Sequence, residues 1–384
     1  MSLRMNRLLN ASLLSVVFLA SLGTVACTAE TSEENAPSAA TQSPAELLAG
    51  EGGTQTAPIS GYATAQTITS GKASLVVDGA SYDLLSYSFG ISNHNSALPG
   101  GVDHGAGKAA LADLHVTVRP SANEAVLRRA ILVGESFVNA RIVLYPTVAP
   151  GSPKAPKPIE LAVFDNAFVH AVATGGGGGT AVESYTLSAS KVTLSYAGAK
   201  VAYDAKLGVF DNDGACADDG VLPTYTQANA GEPAKYPLVA GAVRVDSVAV
   251  AISNTYSGTT GGKARLEGIS LAGSLEKGGV CGFYYSAKGK IAAAAKIGIA
   301  GEVGSKNPKA FESTSWTACL SGVESVQITS SGDGAPVQVL QLQAGGVLRT
   351  DRTYDAKSGR LNESSSGWSF VNNRSASTCA AVEL

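Results

Sequence analysis

Histidine is scarce in this 384-residue chain: His94, His104, His115 and His170 are the only four, and none lies beyond position 170. A nucleophile relying on a histidine base could therefore be assembled only in the first half of the sequence. Motif absences narrow the chemistry further. No Gly-x-Ser-x-Gly elbow, no His-Glu-x-x-His pair and no Gly-x-Gly-x-x-Gly fingerprint occurs, so no residue set is offered for a serine hydrolase, a zinc peptidase or a dinucleotide enzyme. Basic charge is not in excess, with 28 Lys and Arg against 31 Asp and Glu, which argues against a nucleic-acid partner. Long apolar runs are missing too. The longest, Leu8 to Leu22, is shorter than the ~20 residues of an ordinary membrane-spanning helix.

That run is informative for its surroundings. Arg4 and Arg7 precede it, and Thr24-Val25-Ala26-Cys27 follows, small residues and then a cysteine. This is a three-part secretory signal over 1–26. The cysteine after small residues resembles the lipobox of bacterial lipoproteins, which implies cleavage before Cys27 and lipid on the new N-terminus; simple secretion with cleavage after Ala26 is the alternative. Residues 27–57 are rich in Ser, Thr, Ala, Glu and Pro and lack aromatics. Such a stretch buries too little apolar surface to fold and reads as a disordered tether. With the signal removed the formal charge is about −5 and the length suits two domains of ordinary size. Cys216, Cys281, Cys319 and Cys379 then remain. They are an even number in a compartment where disulfides persist, with three pairings open. Cys319 with Cys379 is favoured because the C-terminal tail needs a partner, which leaves Cys216 for Cys281.

The chain repeats itself at domain scale. Ile91-Ser92-Asn93 recurs as Ile252-Ser253-Asn254, and Gly107-Lys108-Ala109 as Gly262-Lys263-Ala264. Tyr203-Asp204-Ala205-Lys206 recurs as Tyr354-Asp355-Ala356-Lys357, in the same order along the chain. Val138, Ala140, Ile142 and Leu144 alternate as one apolar strand face, matched 155 residues later by Ala293, Ala295, Ile297 and Ile299. Short extended segments are expected at 72–77, 84–91, 114–119, 137–145, 159–172, 182–196 and 207–211. Gly- and Pro-rich turns separate them, the pattern of an all-β sandwich or barrel. Ser121-Ala122-Asn123-Glu124 is a capping box opening one helix, with Gly134 as its stop. At the aligned place in the second repeat stand Gly278, Gly279 and Gly282. Each costs about 1 kcal/mol in a helix, so the helix is expected to be lost or shortened there.

Leu84-Leu85-Ser86-Tyr87-Ser88-Phe89-Gly90-Ile91-Ser92-Asn93, the Gly-rich loop Gly105 to Lys108, the capped helix at Ser121 and Glu183-Ser184 leading into Val192 to Tyr196 resemble the haemolysin-coregulated protein family, Hcp, the tube protein of type VI secretion. Ser366-Gly367-Trp368-Ser369-Phe370 is similar to the segment closing many members. The resemblance implies a small β-barrel with one helix, no catalytic residues, and assembly into hexameric rings. A signal and tether are departures from that family, so the fold carries over better than the role. The expected organisation is mostly β: an Hcp-like barrel over 70–212 carrying the single helix, a linker over 213–241, a divergent copy over 242–373 and a tail over 374–384.

The remaining candidate sites have plain readings. His94, His104 and His115 near Asp103 lack zinc-ligand spacing. Asp211, Asp213, Asp218 and Asp219 crowd one loop without the calcium-loop pattern. Gly175 to Gly179 lacks the Lys-Ser or Lys-Thr of a phosphate cradle, and Ser188 with Lys191 lies in strand-like sequence where a Ser-x-x-Lys pair needs a helix turn. The sequence thus predicts a non-enzymatic lipoprotein of the cell envelope with no cofactor and no metal, anchored to the membrane through Cys27. A secretion tube-like component or cargo carrier is the alternative. A monomer in which the two barrels pack on each other is expected over a ring, because helix propensity is lost at Gly278 to Gly282, the linker is long and the low mutual identity of the copies implies diverged surfaces.

Overall fold

The computed structural model describes residues 71–93, 108–120, 124–147, 156–177, 180–217, 221–227, 242–254, 262–289, 291–300, 312–331, 335–355, 357–358 and 360–383. All lie in one compact unit, Gly53–Leu384. The signal, Cys27, the tether, Ser121 to Asn123 of the capping box, His94, Asp103, His104, Asp218, Asp219 and most of the linker lie outside the described residues.

The protein is mostly β, as expected, and the eighteen strands among the described residues belong to one hydrogen-bonded sheet. The first half runs β1 (Gly71–Val77), β2 (Ala80–Ser92), β3 (Ala110–Val118), α1 (Glu124–Val133), β4 (Ser136–Pro146), β5 (Ile159–Gly177), β6 (Thr180–Ser188), β7 (Lys191–Tyr196), β8 (Ala199–Asp204) and β9 (Val209–Asn212). The second half runs β10 (Tyr225–Gln227), β11 (Val243–Val245), β12 (Ser247–Asn254), β13 (Ala264–Ser274), α2 (Lys277–Lys288), β14 (Ile291–Ala300), β15 (Glu312–Ser330), β16 (Val337–Asp355), β17 (Arg360–Ser369), β18 (Arg374–Ser375) and α3 (Ala380–Glu383).

The two halves pair their strands alike. β3 lies between β2 and β6, and β4 beside β5; correspondingly β13 lies between β12 and β16, and β14 beside β15. The registers agree: Leu114 faces Leu187 and Ile269 faces Leu342, each residue 155 from its counterpart. Helices α1 and α2 each stop at a glycine in the left-handed region, Gly134 at φ 68° and Gly289 at φ 62°, the backbone a helix end favours. Asn166 and Leu320, 154 apart, both have positive φ. A ladder irregularity follows each, between Val169 and Ala171 and between Val323 and Ser325.

Three expectations need correction. The helix lost on propensity grounds is α2, twelve residues long with Gly279 to Ala287 buried. A methyl on Gly278 would overlap the Val243 side chain, one on Gly279 would overlap Gln338, and one on Gly282 would come within 2.8 Å of Leu340 Cδ2. The glycines let this helix lie close against the sheet, and tertiary packing outweighs their ~1 kcal/mol propensity cost each. Second, Val138 does not share the buried face of Ala140, Ile142 and Leu144: it is 70% exposed, and Phe137 is buried instead. Val138 drops out of the ladder opposite Asn166, whose positive φ breaks the alternation. Ala293 is exposed in the same way, with Ala292 buried, opposite Leu320. Third, the repeated Tyr-Asp-Ala-Lys segments close non-equivalent hairpins, β8–β9 and β16–β17. They share turn chemistry, since Asp204 Oδ1 accepts from the Lys206 amide and Asp355 Oδ1 from the Lys357 amide, both at 2.9 Å.

The extended segments expected in the first half form strands. The segment expected unbroken over 182–196 is split into β6 and β7. Between them the Ser190 amide donates to Asp165 O at 3.0 Å and Asn166 Nδ2 donates to Ser190 Oγ at 2.8 Å. One core runs through both halves, from Leu75 and Phe164 to Phe283 and Leu340, and burying each such side chain contributes about 1.5–3 kcal/mol.

Candidate functional site

The densest chemistry lies on the seam between the halves. There β15 adds to β2, antiparallel, from Ser325 opposite Ser92 to Ser330 opposite Tyr87. Val326 meets Ile91 and Ile328 meets Phe89, all four at most 2% exposed. Glycine is required at Gly90, where a Cβ would overlap the Val326 carbonyl oxygen. Side chains reinforce the ladder: Gln327 Nε2 donates to Ser88 Oγ at 2.8 Å and Thr329 Oγ1 to Tyr87 O at 3.0 Å. Burial pushes the Tyr87 hydroxyl well above the usual tyrosine range, with Tyr196 adding to the effect, so it stays protonated and neutral.

Helix α2 completes the seam. It packs on β15 and β16 of its own half and on β2, β7, β8 and β9 of the other. Its Cys281 bonds Cys216, just beyond β9. Lys288 donates to Tyr284 OH at 3.2 Å, and its ammonium stands 5.6 Å from the Phe210 ring centroid. The second disulfide, Cys319–Cys379, ties the segment before α3 to β15.

A second polar cluster sits under α1. Glu183 is fully buried, pairs with Arg128 of α1 and accepts from Tyr185 OH at 2.5 Å. Its counterpart 155 residues on is Gln338, also fully buried, beside Gly279. A neutral amide replaces the carboxylate where α2 brings no arginine. Sequence reading missed this cluster and the seam, although Glu183 was visible as a charge in phase with the apolar Tyr185 and Leu187.

The sequence-predicted residues do not converge. His115 Nδ1 lies 3.2 Å from Thr186 Oγ1, and His170 Nε2 lies 3.2 Å from Asp113 Oδ2, on different strands. Asp213 Oδ1 accepts from the Ala215 amide, as a turn residue does. Ser188 ends β6 while Lys191 begins β7. Gly175 to Gly177 lie in β5. Among the described residues, no group of three or more His, Cys, Asp or Glu is placed to hold a metal.

No family model and no curated protein matches this chain. Solved structures do. A type six secretion system protein is similar over 37% of this chain and 99% of its own, at 13% identity and a TM-score of 0.30. Hcp1 from Salmonella typhimurium is similar over 36% and 97%, at 17% identity and a TM-score of 0.29. The likeness is to Hcp. Hcp1 from Flavobacterium johnsoniae repeats it over 35% and 98%, at 14% identity and a TM-score of 0.26. The Hcp family is the one that Leu84 to Asn93 and Ser366 to Phe370 resemble, and the likeness spans about a third of the chain.

Proposed function

We propose that this chain is a non-enzymatic scaffold or binding module of the cell envelope, exported and held at a membrane by lipid on Cys27. In this reading two divergent copies of one Hcp-like domain, over 70–212 and 242–373, share a sheet. The observation that carries it is the seam: the buried polar and sulfur chemistry joins elements to one another, through the β2–β15 ladder and Cys216–Cys281. The shared strand pairing and the 154 to 155 residue recurrences support the two copies. Two disulfides fit an oxidising, exported environment. No helix among the described residues is long and apolar enough to cross a membrane; the anchor in this reading is the lipid on Cys27, which rests on the small residues Thr24-Val25-Ala26 before that cysteine. Metabolic labelling with palmitate tests it. The wild-type chain takes up label and pellets with membranes, and Cys27→Ser takes up none and stays soluble, since each buried CH₂ contributes ~0.8 kcal/mol to anchoring. A Cys27→Ser protein that still pellets after a salt wash refutes the anchor.

A further inference from the structure

We propose that the C-terminal tail is a reducible latch: Cys319–Cys379 holds it over an apolar groove on the second half, and a dithiol reductant releases it while the body stays folded. The inference goes beyond the scaffold reading and does not depend on lipid at Cys27. By register, Cys319 opposite Gly346 corresponds to Asp165 opposite Lys191. In the first half that place faces solvent, as an ion pair at 4.0 Å with the Lys191 and Asp165 side chains 41% and 38% exposed. In the second half Cys319 is fully buried there, and Leu348 stands where Thr193 does. The outer face of one copy is thus polar and open, and that of the other is apolar and covered by the tail.

The strands leading into the tail show what changed. Trp368 lies opposite Val347 as Tyr203 lies opposite Val192, and Ser375 pairs with Trp368 as Phe210 pairs with Tyr203. Strand β18 therefore takes the place of β9. A cysteine follows each of them, but Cys216 crosses to α2 whereas Cys379 turns back to β15 of its own half. The tail brings buried Val382 and Ala376 onto Cys319, in a small core separate from the main one and flanked by Leu320, Leu348 and Val371. The groove has a glycine floor: a Cβ on Gly346 would lie 2.5 Å from Val382 Cγ2, and one on Gly367 would overlap the Ala376 carbonyl oxygen. Asn372 Nδ2 donates to Val382 O at 3.2 Å. Helix α3 packs on β15, β16 and β17, all of the second half. Contacts so few and so confined can open without disturbing the seam.

The two disulfides differ in access. Cys216 and Cys281 are both buried within the main core, where α2 meets the first half. Cys379 is half-buried, between exposed Thr378 and Ala380. A thiolate of the reductant attacks Cys379 Sγ, the S–S bond breaks, and Cys319 leaves as a thiolate that takes up a proton. The second thiolate of the reductant then displaces the Cys379 sulfur, which is protonated in turn. Two electrons pass to the protein and the dithiol departs as its own disulfide. With the cross-link gone, only Val382, Ala376 and a few hydrogen bonds hold the tail, so it exchanges between seated and free, and the groove lined by Leu320, Leu348 and Val371 is uncovered.

The test uses the full-length chain in the Cys27→Ser form, which removes the fifth thiol. Dithiothreitol is added without denaturant, free thiols are alkylated with iodoacetamide at intervals, and peptide masses report each cysteine. Cys379 and Cys319 become alkylated while Cys216–Cys281 stays bonded, and the reduced chain keeps a cooperative thermal transition. Cys319 reacts more slowly than Cys379, because it is reached only when the tail lifts. Carboxypeptidase removes Val382 from the reduced chain and not from the oxidised one. In the reduced state Val382→Asp speeds Cys319 alkylation roughly tenfold, as the loss of one buried valine does, and leaves Cys216–Cys281 intact. Three results overturn the proposal, and the parent chain alone can give each of them. They are reduction of Cys216–Cys281 first or together with Cys319–Cys379, loss of the cooperative transition on reduction, and a reduced tail that still resists carboxypeptidase while Cys319 stays unreactive. Membrane release by Cys27→Ser is read separately, so the anchor and the latch can fail independently.

Discussion

Replacing Arg128 by Met isolates the charge that the first half buries. Glu183 is 0% exposed and receives hydrogen bonds from Arg128 and from Tyr185 OH, while the Arg128 side chain is 52% exposed. Methionine keeps the helix propensity and the apolar stem of arginine, so the main loss is the guanidinium. Removing one partner of a fully buried pair costs about 3–5 kcal/mol. Solvent already screens the exposed side of this arginine, which brings the expected cost to about 2–3 kcal/mol. The second half indicates the remedy: Gln338 occupies the counterpart position without an arginine. Arg128→Met with Glu183→Gln should therefore recover most of the loss and lie within about 1 kcal/mol of the parent, the worth of one neutral hydrogen bond. Urea unfolding with the disulfides intact measures this, as a midpoint shift at unchanged slope. An Arg128→Met protein within about 0.5 kcal/mol of the parent, or a double variant no more stable than Arg128→Met, would refute the reasoning.

The remaining predictions concern packing, cross-links and pH. Gly279→Ala should destabilise by about 1–3 kcal/mol despite alanine's better helix propensity, because the methyl meets Gln338; thermal unfolding reads it, and a rise in Tm would show that α2 does not need the close approach. Replacing both cysteines of either disulfide by Ser should cost about 4 kcal/mol, given sequence separations of 65 and 60 and a chain-entropy account of the cross-link; denaturant unfolding equal to the parent's would exclude that account. The Glu160 carboxyl is held above its usual range, chiefly by desolvation, with Arg141 and Lys200 opposing. For an acid raised in the folded state, stability is fully present below the unfolded pKa and is lost as pH rises through the folded one. Glu160→Gln should therefore stabilise relative to the parent at neutral pH, with the gain fading as pH falls below the carboxylate range. A gain that grows toward acid would reverse the sign.

Much of the fold was legible from period alone. Strand β7 follows the alternation that any half-buried strand must show, and Gly134 stops α1 where the sequence placed a stop. The likeness to Hcp was readable from Leu84 to Asn93, because local motifs there keep their order. Propensity misjudged α2, since glycine's cost is local while its benefit, close approach to Val243, Gln338 and Leu340, exists only after β11 and β16 are in place. Val138 was misassigned for a related reason: its exposure is set by the positive φ of Asn166 on another strand.

The sequence by itself determined the β class, an even set of four cysteines beyond Cys27 and the recurrence of short motifs at domain-sized spacing, because these depend on residue type and spacing along the chain. Only the tertiary structure decided that Cys216 reaches Cys281, that β15 adds to β2, and that Glu183 and Gln338 take matching register positions on β6 and β16. Each of these joins residues tens to hundreds of positions apart, and no local period encodes which distant edge, helix or thiol a residue will meet.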